Sequence, residues 1–131
     1  MISNPMVSTS VLRLAAALAA IMGAFGVVLA AAAAHLGDAA RLGPASNMLL
    51  FHAPAVIAAV LLTGHGLAQR QLGLTATFAM IAGAAMFSGD LAMRHYTGNA
   101  LFPLAAPIGG SLLILSWIVL AIAAIWPRRA G

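Results

Sequence analysis

Apolar residues in this chain neither alternate nor fall into short blocks. They fill four long stretches, 14–34, 48–64, 72–93 and 101–126, and nearly every charge lies in the short intervals between them. At a rise of 1.5 Å per residue, a helix needs about 20 apolar residues to cross a hydrocarbon layer about 30 Å thick. The pattern therefore predicts transmembrane helices over about 13–35, 47–65, 72–95 and 101–126, forming a single transmembrane domain over 13–127. Residues 1–12 read as a polar leader and 128–131 as a basic tail. Arg13 followed by an apolar run and the alanines at 30–34 also resembles a signal peptide, but the run exceeds the usual h-region of about 7–15 residues and reads as a first span.

Local chemistry places the helix ends. His35-Leu36-Gly37-Asp38 closes the first helix, and Gly43-Pro44-Ala45-Ser46 opens the second with Ser46 as its cap. Thr63-Gly64-His65-Gly66 closes the second, and Tyr96-Thr97-Gly98-Asn99 the third. Connections this short join antiparallel neighbours. An all-α, up-down-up-down bundle of four transmembrane helices follows, with both termini on one side.

Composition sharpens the class. An apolar content of 63% with 6% charged residues is far from the soluble norm of about a quarter charged, so the bilayer is the expected partner. The net charge of +4 comes from six arginines against Asp38 and Asp90. Those arginines are scattered at helix ends, where they anchor and orient spans, and form no clustered face for nucleic acid. Arg13, Arg70, Arg128 and Arg129 on the terminal side outnumber Arg41 and Arg94 on the other, which predicts cytoplasmic termini. Trp126 beside Pro127 reads as an interfacial anchor. The absence of cysteine excludes disulfides, thiolate metal sites, iron–sulfur clusters and covalent c-type haem.

Within the bundle, Ala15, Ala19, Gly23, Gly26, Ala30 and Ala34 make one stripe of small residues and Ala79, Gly83, Met86 and Asp90 another, the kind of face that lets helix backbones approach in lipid. Candidate chemistry gathers at the end opposite the termini. Threading brings His35, His52, Asp90 and His95 to that end, with His65 at the other. An ionisable residue inside a span costs roughly 2.5–3.5 kcal/mol at its centre, so each invites a functional reading.

Each also has a structural one. Asp90 and Arg94 are spaced for an intrahelical ion pair. His52 is placed to hydrogen-bond a carbonyl on a neighbouring helix, with Pro54 leaving the Leu50 carbonyl without its donor. His35 and His95 read as solvated or capping. Convergence of His35, His52 and Asp90 would suit a metal, and His35 with His52 a b-type haem, but no paired-histidine helix motif is present, so the metal stays open and no cofactor is expected. A nucleophile elbow and a Gly-rich phosphate loop are both missing.

Gly23-Ala24-Phe25-Gly26, Phe51-His52-Ala53, Met86-Phe87-Ser88-Gly89 and Pro107-Ile108-Gly109-Gly110 followed by Trp117 occur in the order and spacing of a known family. The chain resembles the domain of unknown function 423 family, the YgdD-like and transmembrane protein 256-like small membrane proteins. It departs at Asp90, where the family usually has serine, and at Ala106, where it usually has threonine. The resemblance implies four spans and a membrane location, and brings no catalytic residues. Gly89, Pro107, Gly109 and Gly110 join Gly23, Gly26 and Gly83 as expected packing positions.

The reading is a small integral protein of a bacterial inner membrane without evident catalytic activity. It is expected to be an accessory subunit packing against other membrane subunits or against copies of itself. One alternative is a transporter using Asp90 and His52 as a protonatable relay, and a second is a metal- or haem-binding protein.

Overall fold

The computed structural model describes residues 5–126. Four helices make up the described chain: α1 Pro5–His35, α2 Ala39–Gly64, α3 Arg70–Thr97 and α4 Ala105–Ile125. All four are long and apolar enough to cross a membrane. The basic tail 128–131 and residues 1–4 of the expected leader lie outside the described residues.

Three boundaries differ from the expected ones. The rest of the leader is helical, since α1 begins at Pro5, and a proline at the first helical position surrenders only a donor that has no intrahelical partner. The second helix starts at Ala39, eight residues before the expected 47, so Gly43 and Pro44 lie inside it. The turn sits instead at Gly37, whose φ of 79° is in the left-handed region, and the Asp38 carbonyl then accepts from the Arg41 and Leu42 amides. Pro44 removes the donor to the Ala40 carbonyl, close enough to the helix end to be tolerated. Ser46 is consequently no cap; it is buried one turn and more into α2. The fourth helix starts at Ala105 rather than 101, because Pro103 disfavours helical backbone at the residue before it.

The central pair is α2 and α3. α1 packs on α2, α4 packs on α3, and α1 touches α3 only lightly. Ala15, Ala19, Met22 and Leu29 from α1 meet Leu42, Leu49, Val56 and Val60 from α2, with Met80, Ala84, Leu113 and Leu120 completing the core. The buried stripe of α1 includes Ala15, Ala19 and Gly26, whereas Ala30 and Ala34 of the expected stripe are exposed.

Glycines set the closest crossings. A Cβ on Gly83 would lie 2.9 Å from the Gly109 carbonyl oxygen, and one on Gly109 would lie 2.7 Å from the Phe87 amide nitrogen and 2.8 Å from the Gly83 carbonyl oxygen. At that point α3 and α4 touch backbone to backbone. Gly26 holds the α1–α2 crossing, where a Cβ would meet Leu50 at 2.8 Å. Gly73, which sequence patterning does not single out, is pressed against Thr63, whose buried hydroxyl has no hydrogen-bond partner among the described residues. Gly23, Gly89 and Gly110 sit in ordinary contact, and Pro107 is exposed.

Gly109→Ala should therefore lower stability by about 1–3 kcal/mol, because the intruding methyl meets backbone that cannot yield. Gly110→Ala, whose Cβ would meet only Phe87 at 3.8 Å, should be neutral or slightly stabilising. Thermal unfolding of the two variants in the same detergent checks the contrast; equal melting temperatures would contradict the close crossing.

Candidate functional site

The polar side chains of the spans form a descending series from the end opposite the termini toward the middle of the bundle. Outermost, Asp38 in the α1–α2 turn accepts a hydrogen bond from His95 Nδ1 at 3.0 Å and lies 3.6 Å from the Arg41 guanidinium. Arg41 also reaches the Arg94 carbonyl at 3.5 Å, so the start of α2 is tied to the end of α3. The hydrogen bond from His95 chiefly, then the charge of Arg41, holds the Asp38 carboxyl below the usual carboxylate range against an opposing effect of burial.

One layer deeper, Asp90 is completely buried. Its Oδ2 accepts from Arg94 Nε at 3.0 Å and its Oδ1 from the Leu101 amide at 2.8 Å, and the Ala106 amide also donates to it. The reason lies in the segment it serves. Residues 98–104 are non-helical and, from Ala100 on, apolar, with Leu101, Phe102 and Leu104 exposed and Leu104 at a φ of 64°. Backbone donors in such surroundings have no water to fall back on. Of the first four positions of α4, Ala105 donates to the Phe102 carbonyl, Ala106 to Asp90 and Ile108 to the Leu104 carbonyl, while Pro107 has no donor to satisfy. Asp90 thus closes the α3–α4 turn and caps α4.

Below it, two serines link three helices. Ser46 Oγ donates to the Gly26 carbonyl at 2.8 Å, joining α2 to α1, and Ser88 Oγ donates to the Ala45 carbonyl at 2.8 Å, joining α3 to α2. Deeper still is His52. Because α2 begins at Ala39, His52 lies midway along that helix rather than one turn in. Its Nδ1 lies 2.8 Å from the Met48 carbonyl, in its own helix and not a neighbour as expected, and its Nε2 lies 3.1 Å from Trp117 Nε1 on α4. A carbonyl only accepts and an indole N–H only donates. The two bonds together therefore select the neutral ring with its proton on Nδ1.

These positions undo the convergence expected of His35, His52 and Asp90. His35 is exposed at the end of α1 and joins neither cluster. Ser88 pairs with Ala45, so Asp90 is level with about residue 43 of α2, nine residues or roughly 13 Å from the level of His52. Among the described residues, no group of three or more His, Asp or Glu side chains could hold a metal ion. The candidates that do assemble are Asp90 with Arg94, and His95 with Asp38. Asp38, Arg41, Ser46, Ser88 and Trp117 also make polar contacts at these levels but stand outside the sequence-based candidate set. An acid beside a helix start and hydroxyls inside spans are the signals that point to Asp38, Ser46 and Ser88.

Asp90→Ala leaves two amides and Arg94 without their acceptor, and should cost about 3–5 kcal/mol, nearer the lower figure because Arg94 is partly exposed. Asp90→Asn, which keeps an accepting oxygen, should cost less. Thermal melts in detergent check the order; an Asp90→Ala protein as stable as the parent would contradict the capping role. For Asp38 the sign follows from a lowered carboxyl: its stabilisation is fully present above the ordinary value of 3.8 and disappears as pH falls through the lower, folded value. The melting temperature of Asp38→Asn should thus lie below the parent's at pH 6 and converge with it as the pH drops below 3.8, while a gap constant with pH would refute the pairing.

No curated protein and no solved structure matches the chain. The family described as Protein of unknown function (DUF423) matches residues 22–110, which include the glycines of the α1–α2 and α3–α4 crossings together with His52, Ser88 and Asp90. The match takes in 89 of 131 residues, and the chain, a small four-helix membrane protein, belongs to that family.

Proposed function

We propose that this protein is a packing subunit that associates with other membrane-protein chains and carries out no turnover of its own. The observation that carries the reading is how the polar groups of the spans are used. Asp90 is committed to Arg94 and two backbone amides, His52 to Met48 and Trp117, and Ser46 and Ser88 to carbonyls of adjacent helices. A proton relay needs a group that can change partners, and the wide step in depth between His52 and Asp90 works against a direct one. On the outside, Ala17, Ala20, Ala24, Ala31 and Ala34 of α1, all exposed, line a second face that is small except for Val27. Such a face favours close approach by another transmembrane helix.

The arginine bias supports a bacterial inner membrane orientation with cytoplasmic termini. Four arginines, at 13, 70, 128 and 129, fall on the terminal side of the sequence pattern against Arg41 and Arg94 on the other.

Cross-linking in native membranes followed by mild-detergent purification should recover the chain with a stoichiometric membrane partner or as a homo-oligomer. Ala20→Phe with Ala24→Phe should abolish that recovery without altering helicity. A lone monomer that moves protons in liposomes, with the flux abolished by Asp90→Asn, would replace this reading with the transporter.

A further inference from the structure

The light contact between α1 and α3 leaves a groove of about 540 Å³ open to the side of the bundle. On α3 its trough is made by Ala85, Gly89 and Ala92, spaced four and three apart and therefore on one helix face. Phe25 and Ile21 of α1 form a wall, and Leu49 of α2 lies between the two helices. The Ser88 hydroxyl is spent on the Ala45 carbonyl, so nothing inside the groove asks for a hydrogen bond. The occupant must be apolar along its length.

Dimensions narrow the choice. The lining runs between Leu18 and Leu29 on α1 and between Ile81 and Tyr96 on α3, roughly 16–22 Å at helical rise. That is comparable with half of a hydrocarbon core about 30 Å thick. Ile81 lies in the middle third of α3 and Tyr96 next to its end, so the groove belongs to the leaflet opposite the termini. Tyr96 is half exposed at the mouth, the depth at which amphipathic aromatics meet headgroups. Between atom surfaces the open slot is about 7–8 Å across over that length, whereas a helix with its side chains is about 10–12 Å wide. A slot of that width does not admit the body of a helix from a second copy, and one leaflet's length gives little of the area of about 1,200 Å² or more that a stable interface buries. A single polymethylene chain, with carbon contacts of about 3.5–4.0 Å, fits it.

We propose that the α1–α3 groove is a binding site for one acyl chain of a glycerophospholipid from the leaflet opposite the termini, with its headgroup at Tyr96. Occupancy supplies the apolar contacts that α1 and α3 do not make with each other.

The test is native mass spectrometry of the full chain released from mild detergent after reconstitution in phosphatidylethanolamine and phosphatidylglycerol vesicles. The parent should retain one phospholipid, and Ala85→Phe with Ala92→Phe, which fills the trough from exposed or half-exposed positions, should retain none while keeping the parent's circular dichroism. Ala92→Leu alone is the milder filling variant if the double one does not fold, and it should weaken retention. No retained phospholipid in the parent, or equal retention in parent and folded filling variants, would overturn the proposal. The chain has no cysteine, so Ala85→Cys carries a unique thiol. Its disulfide-linked dimer forming readily in membranes would put a second copy in the groove and overturn the proposal as well.

Discussion

A backbone that leaves its helix inside a bilayer must find partners for its amides within the protein. That constraint is sharpest between α3 and α4, where an apolar, non-helical segment precedes a helix whose first turn would present bare donors. One buried carboxylate answers it. Asp90 takes the Leu101 and Ala106 amides, and Arg94 from the next turn of the same helix balances its charge. A carboxylate is well suited to this work because its two oxygens accept several bonds at once. Once the turn is closed this way, the register of α4 on α3 is set, and Gly83 and Gly109 meet where their missing side chains permit backbone contact.

The rest of the bundle is held by small contacts that repeat. Lipid offers helices almost no hydrophobic reason to associate, so close packing and a few interhelical hydrogen bonds, each worth about 0.6 kcal/mol on average, must suffice. Gly26 lets α1 onto α2 beside the same carbonyl that Ser46 binds. Ser88 repeats the arrangement from α3 to the Ala45 carbonyl. Neither bond is large, yet Ala45 and Ser46 are adjacent, so both outer contacts of α2 are fixed at one level. His52 and Trp117 add a tie between α2 and α4 near mid-depth, joining two helices that otherwise share little contact.

Much of this was legible in the chain. Four apolar stretches of membrane-crossing length can hardly be read another way, and the i, i+4 spacing of Asp90 and Arg94 foretells their pairing. The start of α2 was not legible, because Gly43-Pro44 followed by a serine is the ordinary signature of a helix beginning; only the left-handed turn at Gly37 moves it to Ala39. That shift carried His52 deeper and dissolved its convergence with Asp90. Trp117 as its partner, and the amides of Leu101 and Ala106 as the reason for Asp90, were invisible for a different cause. A backbone amide has no letter in a sequence, and contacts across 65 residues depend on the packing of every helix between.

The cap formed by Asp90 has a consequence for how the protein enters a membrane. Presented alone, α3 would bring a carboxylate into the bilayer facing nothing but Arg94, and α4 would bring a first turn with unmet amides. Together they neutralise each other's liability. The two helices are therefore cheapest to transfer as a preformed hairpin, which makes the pair, rather than the single span, the natural unit of insertion for the C-terminal half of the chain.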